Sequence, residues 1–204
     1  MRYRLKGVVV WVLHAFTWLF ALPAVVEHRL TGQERFFDFF AKALSLIPGY
    51  PGQYLRASYY RLTLASSPYD LAVGFASFFS HMGAEVGRGV KIGSFSIIGT
   101  ATLEEGVMIA SRVSILSGKY QHGGGARGRD IERNEVVYEK VRIGARTWLG
   151  EGVIVMANVG KQCIVSAGSV ITRPVPDGCT AVGNPARWVK YGDPAPRPIQ
   201  AATA

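Results

Sequence analysis

The chain of 204 residues contains only two cysteines and four histidines, and this scarcity excludes several classes of protein. Cys163 and Cys179 lack the pattern of a disulfide-stabilised secreted domain, which favours a reducing compartment. No His/Cys cluster has the spacing of a metal site, so no metal ion is predicted. The basic residues do not gather on a recognisable nucleic-acid-binding motif, so no nucleic-acid partner is predicted either.

Acidic residues are also scarce, with 14 against 23 lysines and arginines, and the net charge is +9. Such an excess predicts an anionic partner, either phospholipid headgroups or a phosphorylated cofactor, although a merely basic surface would give the same count. Hydrophobic residues make up 49% of the chain. That proportion indicates that some apolar surface is buried outside an ordinary core.

A six-residue repeat dominates the chain from about Val86 to Ile171. Neither the two-residue period of a strand nor the 3.6-residue period of a helix produces this spacing, which is typical of a solenoid of triangular coils. The small residue after each opening residue is expected at tight corners with unusual backbone angles. Cys163 lies at a small, inward-facing position of the repeat, which predicts a buried free thiol. The opening residues are Val86, Ile92, Ile98, Leu103, Ile109 and Ile115, then, after a break, Ile143, Leu149, Val155, Val159, Val165 and Ile171.

Three further stretches accompany the repeat: Thr147-Trp148-Leu149-Gly150, then Val165 to Ile171, and Gly183-Asn184-Pro185-Ala186-Arg187. Together with the repeat they resemble the hexapeptide-repeat acyltransferases over about residues 84–191. The resemblance implies a mainly β fold, a left-handed parallel β-helix over residues 83–191. Residues 192–204 are expected to form a flexible tail.

Residues 1–82 lack the repeat and are predicted to be a helical, membrane-associated region. The apolar run Gly7–Val26 is long enough to cross a bilayer as one helix. Glu34–Leu44 has the pattern of an amphipathic helix in a membrane interface. Tyr54–Leu62 is expected to be a helix with interfacial tyrosines and arginines, after a break at residues 48–52. Residues 71–82 are expected to lead into the first coil.

Two alternatives compete with membrane association for this region. A signal peptide is disfavoured because no small-x-small cleavage site follows the apolar run. A buried soluble hairpin is disfavoured by the four phenylalanines within residues 36–40 and by the basic flanks. Because basic residues lie on both sides of the run and Pro23 interrupts it, we expect an in-plane or re-entrant anchor at the cytoplasmic face of the inner membrane.

The repeat is interrupted by a long loop between residues 117 and 140, and loops of this kind are usually functional or disordered. In similar acyltransferases a loop at this point carries the catalytic histidine, which implies that His122 is the general base. Imidazole titrates near neutral pH and suits the removal of a proton from an attacking hydroxyl. The alternative is a solvated histidine without a function.

The resemblance further implies a homotrimer with acetyl-CoA bound between neighbouring subunits. Trp148 would line the pantetheine arm, with backbone groups around Gly150 and Gly168 hydrogen-bonding its amides. Asn184, Pro185, Ala186, Arg187 and Lys190 would lie near the nucleotide. Related β-helix carbonic anhydrases hold zinc with three histidines, but here only His81 and His122 lie in or beside the solenoid, which disfavours a metal.

The family's sugar acetyltransferases carry an asparagine before the catalytic loop, and this chain has none in Ile109–Val113. Ser111 or Arg112 is therefore the candidate replacement for binding the acceptor. Lys119, Arg127 and Arg129 make the loop basic, which suits a phosphate-bearing acceptor, although the same charges would also keep a loop soluble.

These features together predict a membrane-associated O-acyltransferase that uses acetyl-CoA and acts on a lipid-linked saccharide of a surface polysaccharide. Three alternatives stay open: an N-acetyltransferase acting on an amino sugar, a serine acetyltransferase-like enzyme, and a non-catalytic membrane-bound scaffold.

Overall fold

The computed structural model describes residues 2–117 and 140–190, with side chains from residue 14 onward. Three helices come first: α1 (Arg2–Thr31), α2 (Arg35–Ser45) and α3 (Gly49–Thr63). Short strands follow, of two to five residues each. They are β1 (Ala72–Val73), β2 (Phe78–Phe79), β3 (Glu85–Val86), β4 (Lys91–Ile92), β5 (Ile97–Ile98), β6 (Ala101–Leu103), β7 (Met108–Ile109), β8 (Ser114–Ile115), β9 (Val141–Ile143), β10 (Trp148–Leu149), β11 (Ile154–Val155), β12 (Ile164–Val165), β13 (Val170–Ile171), β14 (Cys179–Gly183) and β15 (Ala186–Lys190).

The strands form the three faces of a β-helix. Face one is the sheet β1-β4-β7-β10-β12-β14-β15, face two is β2-β5-β8-β11-β13, and face three is β3-β6-β9. From β1 to β11 consecutive strands pass from face one to two to three, and each pairs in parallel with the strand one coil away, about 4.8 Å along the stack. Beyond β9, face three continues as the single-residue bridges Ile143–Val159 and Val159–Val175. Among the described strands only β15 pairs antiparallel, where the chain turns back beside β14.

The opening residues of the six-residue repeat form the core, as predicted. Ile98, Ile143, Leu149 and Val165 have no measurable exposure, and the residue just before each opener points outward. The buried free thiol predicted for Cys163 is confirmed. The alternation follows from strand geometry, because successive side chains point to opposite faces.

The predicted reason for the small residue after each opener is wrong. Gly93 and Gly150 follow openers but do not have a positive φ. Instead, a Cβ on Gly93 would lie 2.6 Å from the Ala110 carbonyl carbon in the next coil. The left-handed backbone occurs two residues further on, at Gly89, Gly152 and Gly168 among others. Glycine therefore serves close packing between coils at the first position and backbone conformation at the second.

The β-helix begins earlier than the sequence repeat indicates. Ala72 pairs with Lys91 and Phe78 with Ile97, so residues 71–82 are the first coil rather than a segment leading to it. Val73 and Phe79 are the buried openers of this coil. At the second strand of this coil, Phe79 and Ser80 stand where the repeat usually has an aliphatic residue and a glycine, so the repeat is not apparent from the sequence.

The helical region packs directly on the first coil. Phe37 of α2 stacks on Tyr59 of α3 with ring centroids 5.8 Å apart, and Tyr60 meets Phe79 of β2 edge-on at 4.8 Å. Tyr59, Tyr60 and Phe37 are fully buried. The expectation of interfacial tyrosines in this helix is therefore wrong for Tyr59 and Tyr60, because the protein itself covers their rings.

The small side chains of helix α1 face the rest of the protein, whereas many of its large apolar side chains are exposed. Thr17, Ala21 and Ala24, spaced at helical intervals, are fully buried against the rest of the helical region. No helix within residues 2–117 and 140–190 is long and apolar enough to cross a bilayer. The exposed large side chains of α1 are Phe16, Trp18, Leu19, Leu22, Val26 and Leu30, and those of α2 are Phe36 and Phe39.

Candidate active site

Trp148 lies in an exposed apolar column on face one. Its indole points outward from β10, and the strand register places Met108 directly on one side and Ile164 on the other. The three side chains are 49% (Met108), 44% (Trp148) and 38% (Ile164) exposed. Sequence reasoning missed Met108 and Ile164, although both come immediately before an opener and so point outward like Trp148.

Four other predicted site residues lie along one edge of the β-helix, the first corner, where the chain passes from face one to face two. Ser111 and Arg112 form this corner after β7, Gly150 begins it after β10, and Gly168 belongs to it after β12. Backbone hydrogen bonds join the levels, including one of 3.0 Å from the Gly152 N–H to the Ser111 carbonyl. A Cβ on Gly150 would lie 2.6 Å from the Ala167 nitrogen, so the coils approach closely here.

The charge of Arg112 is already paired. Its Nη1 donates to the Glu151 carboxylate at 2.8 Å, and both side chains are largely exposed. A surface pair of this kind contributes little to stability and is easily exchanged for another partner. Ser111 Oγ accepts a long hydrogen bond of 3.3 Å from the Ser94 N–H. Both groups therefore remain reachable by a ligand at the first corner.

The C-terminal signature forms the turn between β14 and β15, at the far end of face one. Asn184 and Pro185, joined by a cis peptide bond, occupy the turn itself. Arg187 and Lys190 lie on β15 and are exposed, and Ala186 pairs with Gly183 across the turn. Both basic residues thus sit on the sheet that carries Trp148, separated from it by β12 and β14.

The catalytic histidine proposed for the loop, His122, lies outside the described residues, as do Lys119, Arg127 and Arg129. Ser117, the last described residue before this stretch, follows β8 of face two, and Lys140, the first described residue after it, precedes β9 of face three, so both lie at the corner between faces two and three. Face two therefore separates this corner from the first corner that carries Ser111 and Arg112. Within one chain, the structure does not bring the root of the loop to the other predicted site residues.

The rejoining strand is held by two acidic side chains of face three. Lys140 Nζ donates to Glu85 at 2.7 Å, and this hydrogen bond holds the pKa of the Glu85 carboxyl below its ordinary value. Arg142 Nε donates to Glu104 at 2.7 Å. Face three is accordingly polar on its outside, in contrast to the apolar columns of faces one and two.

Two of the other histidines share one carboxylate. His81 Nδ1 lies 2.9 Å and His28 Nδ1 3.9 Å from Glu34, whose other contact is a hydrogen bond from the Met82 N–H. Burial raises the pKa of Glu34, but the hydrogen bonds from His81 and Met82 outweigh it and hold the pKa below its ordinary value. This cluster ties the α1–α2 connection to the first coil and is distant in the fold from Trp148.

Similar proteins of known activity are acetyltransferases. The chain is 36% identical over 113 residues to a serine acetyltransferase of Escherichia coli K12, a match that covers 55% of this chain and 38% of the relative. It is 36% identical over 81 residues to a galactoside O-acetyltransferase of Lactococcus lactis, covering 39% and 37%. The chain thus spans under half the length of these relatives. No protein-family model matches it.

Solved structures with this fold include a maltose O-acetyltransferase from Clostridium difficile 630, with a TM-score of 0.67, 23% identity and coverage of 77% of this chain and 85% of that one. A hexapeptide-repeat acetyltransferase from Vibrio cholerae, complexed with acetyl coenzyme A, gives a TM-score of 0.63 at 17% identity, covering 79% and 90%. At these identities the likeness establishes the fold, a left-handed parallel β-helix.

The fold is thus the left-handed parallel β-helix seen in these acetyltransferase structures. The sequence matches agree with the predicted resemblance, because the chain is similar to acetyltransferases over part of its length.

Proposed function

We propose that this protein is an acetyltransferase that moves the acetyl group of acetyl-CoA to a hydroxyl group. The observation that carries the proposal is the similarity to a serine acetyltransferase and to a galactoside O-acetyltransferase, since serine and galactosides both present hydroxyl groups. The donor is proposed by analogy with the β-helix enzyme solved with acetyl coenzyme A.

The apolar column on face one is a suitable binding surface for the pantetheine arm. Trp148 between Met108 and Ile164 offers a long apolar strip, and the backbone groups of the first corner run beside it. Arg187, further along the same sheet, would contact the phosphates through its planar fork, and Lys190, at the end of β15, would contact them as a point charge. Asn184, Pro185 and Ala186 would border the nucleotide.

A homotrimer would complete the site. Faces one and two carry apolar columns outward, including Ile97 and Ile154 on face two, whereas face three is polar. An assembly that closes by rotation buries two different surfaces of each subunit, which suits two apolar faces and one polar face. The loop of one subunit would then reach face one of its neighbour.

His122 is the proposed general base. The acceptor hydroxyl gives its proton to the imidazole as its oxygen attacks the thioester carbonyl, and the CoA thiolate leaves and takes that proton. Ser111, Arg112, Lys119, Arg127 and Arg129 are the proposed acceptor contacts. Four of the five are basic residues beyond those needed for CoA, which favours an acceptor that bears phosphate.

The exposed side chains of α1 and α2 support a membrane-bound acceptor. Large apolar groups that point away from the protein, next to an excess of basic residues, suit adsorption to an anionic bilayer in the interface plane. A lipid-linked saccharide at the cytoplasmic face of the inner membrane is therefore the proposed acceptor. Mass spectrometry of lipid-linked glycans from cells with and without the protein tests this, and an unchanged acetyl content would contradict it.

Serine is the second candidate acceptor, favoured by the match to serine acetyltransferase over 55% of this chain. The two candidates differ in what an acetyl-CoA assay requires. Thiol release that needs only free serine supports the second candidate, whereas release that needs the lipid fraction supports the first.

A further inference from the structure

A cavity of about 310 Å³ opens where α3 begins, between that helix and the first corner of the first coil. Gly49, Tyr50 and Gln53 of α3 line one side, and Gly74 and Phe75 line the other. Arg56 also belongs to its wall. None of these residues takes part in the proposed acetyl transfer.

Arg56 is almost completely buried, with 2% of its surface exposed. Its Nε donates to the Val73 carbonyl at 3.0 Å, and its Nη1 donates to three carbonyls at the end of α2, of which Ile47 is the closest at 2.8 Å. Within the described residues, its Nη2 group makes no hydrogen bond and no carboxylate pairs with it. The guanidinium is therefore held by the partial charges of carbonyls alone, and its Nη2, which is not among the fully buried atoms that lack a partner, is open to an anion.

The start of α3 supplies a second, independent source of positive potential at the same cavity. The residue before the helix is Pro48, and no side chain caps the first turn. The N–H groups of Gly49 and Tyr50 belong to the four that a helix leaves without an internal partner, and the helix dipole is positive at this end. Helix starts of this kind bind phosphate and other anions.

Gly52 allows the Arg56 guanidinium and the first turn of α3 to lie close together. A Cβ at this position would lie 1.8 Å from the Ile47 carbonyl oxygen and 2.9 Å from Arg56 Nη1. Only glycine lets the end of α2, the guanidinium and the first turn of α3 approach this closely. The sequence Pro48-Gly49-Tyr50-Pro51-Gly52, expected to be a break in the chain, is thus the beginning of α3 and one wall of the cavity.

We propose that this cavity binds a phosphate group through Arg56 Nη2 and the N–H groups at the start of α3. A tetrahedral phosphate presents several oxygens and reaches both sources of donors at once. Tyr50, which lines the cavity, is exposed, so the phosphate of a lipid headgroup has access as well as that of a soluble molecule. The proposal goes beyond acetyl transfer and does not depend on it.

The test uses the Gln53→Glu variant of the full chain. Glutamate has the shape of glutamine and lies near the positive end of α3, so the fold should tolerate it, but its charge competes with phosphate for Arg56. Gln162→Glu, at a distant corner of the β-helix, is the matched control for added charge. Thermal unfolding is followed with inorganic phosphate and with sodium chloride at equal ionic strength.

Phosphate should raise the unfolding temperature of the wild type and of Gln162→Glu more than chloride does, and its affinity for Gln53→Glu should be weaker by roughly tenfold or more. An equal response of all three proteins, or no specific response of the wild type, would overturn the proposal.

Sedimentation with phosphatidic acid vesicles then separates the two sources of phosphate. A lipid headgroup is the source if Gln53→Glu weakens vesicle binding and free phosphate competes with it. A soluble phosphate compound is the source if vesicle binding is unchanged while the thermal response is lost. Either result supports the site, and neither requires acetyltransferase activity.

Discussion

Gly93 and Gly152 show at the scale of the residue that one amino acid serves two purposes in this fold. Gly93→Ala should lower the free energy of unfolding by about 1–3 kcal/mol, because its Cβ would meet the backbone of the next coil at 2.6 Å. Gly152 has a φ of +69° with nothing within 4 Å. Gly152→Asn should therefore cost under about 1 kcal/mol, because asparagine tolerates this backbone conformation. Thermal unfolding of both variants checks the difference, and equal losses would contradict the close-packing explanation.

Glu34 makes the stability depend on pH. Its pKa is lowered in the folded protein, so the carboxylate contributes stability that is fully present above its unfolded pKa and is lost as pH falls through the folded pKa. Glu34→Gln should cost about 1–3 kcal/mol at pH 7 and nearly nothing at strongly acid pH. Unfolding of both proteins from pH 7 to below pH 4 measures this, with Glu151→Gln, at an exposed pair, as the control. A gap that is constant with pH would rule out the carboxylate as the cause.

Among the elements of the β-helix, several corners are joined to the next coil by side-chain hydroxyls, including those of Ser77, Ser96 and Thr147. Buried Thr147 Oγ1 donates to the Gly160 carbonyl at 2.7 Å and accepts from the Cys163 N–H at 3.0 Å. Thr147→Val keeps the shape but leaves both backbone groups unpaired, at about 1–3 kcal/mol for each. The control Thr102→Val, on the outside of face three, should change stability by under about 0.5 kcal/mol. Equal effects in thermal unfolding would refute the role of the hydroxyl.

The elements also show how far the sequence could predict the structure. The buried openers, the free thiol of Cys163 and the break before Lys140 follow from spacing alone. The burial of Tyr59 and Tyr60 does not follow from spacing. Tyrosines near charged residues give the same sequence pattern whether their rings contact lipid or pack inside the protein against Phe37 and Phe79. Arg56 was equally unpredictable, since its partners are backbone carbonyls of α2 and β1, which come together only in the fold.

The candidate site was predictable only in part, for a related reason. Trp148 and the first corner were found from motifs, and their neighbours Met108 and Ile164 follow from register. The distance between Ser117, where the described chain stops before the loop, and the first corner depends on the face to which each belongs. Assigning residues to faces requires every coil to be recognised in the sequence, and the coil at residues 71–82 was not recognised because its opening residue is Phe79.

At the scale of the whole molecule, α1 should decide whether the protein binds a membrane. The double variant Leu19→Glu, Leu22→Glu places charge on the exposed face while the buried Ala21 and Ala24 stay in place. Binding to anionic vesicles should weaken by at least about tenfold with little change in stability. Val182→Glu, an equally exposed aliphatic position on β14, is the control. If the double variant sediments with vesicles as the wild type does, α1 is not the membrane-binding surface.

The central claim is that this β-helix transfers the acetyl group of acetyl-CoA. The most direct measurement is thiol release from acetyl-CoA in the presence of the membrane lipid fraction, for the wild type, His122→Ala and Trp148→Ala. We expect turnover by the wild type, loss of turnover by at least about a hundredfold in His122→Ala, and a raised KM for acetyl-CoA in Trp148→Ala. Equal turnover by the wild type and His122→Ala would show that His122 is not the general base. No turnover with either the lipid fraction or serine would contradict the proposal that the protein is an acetyltransferase.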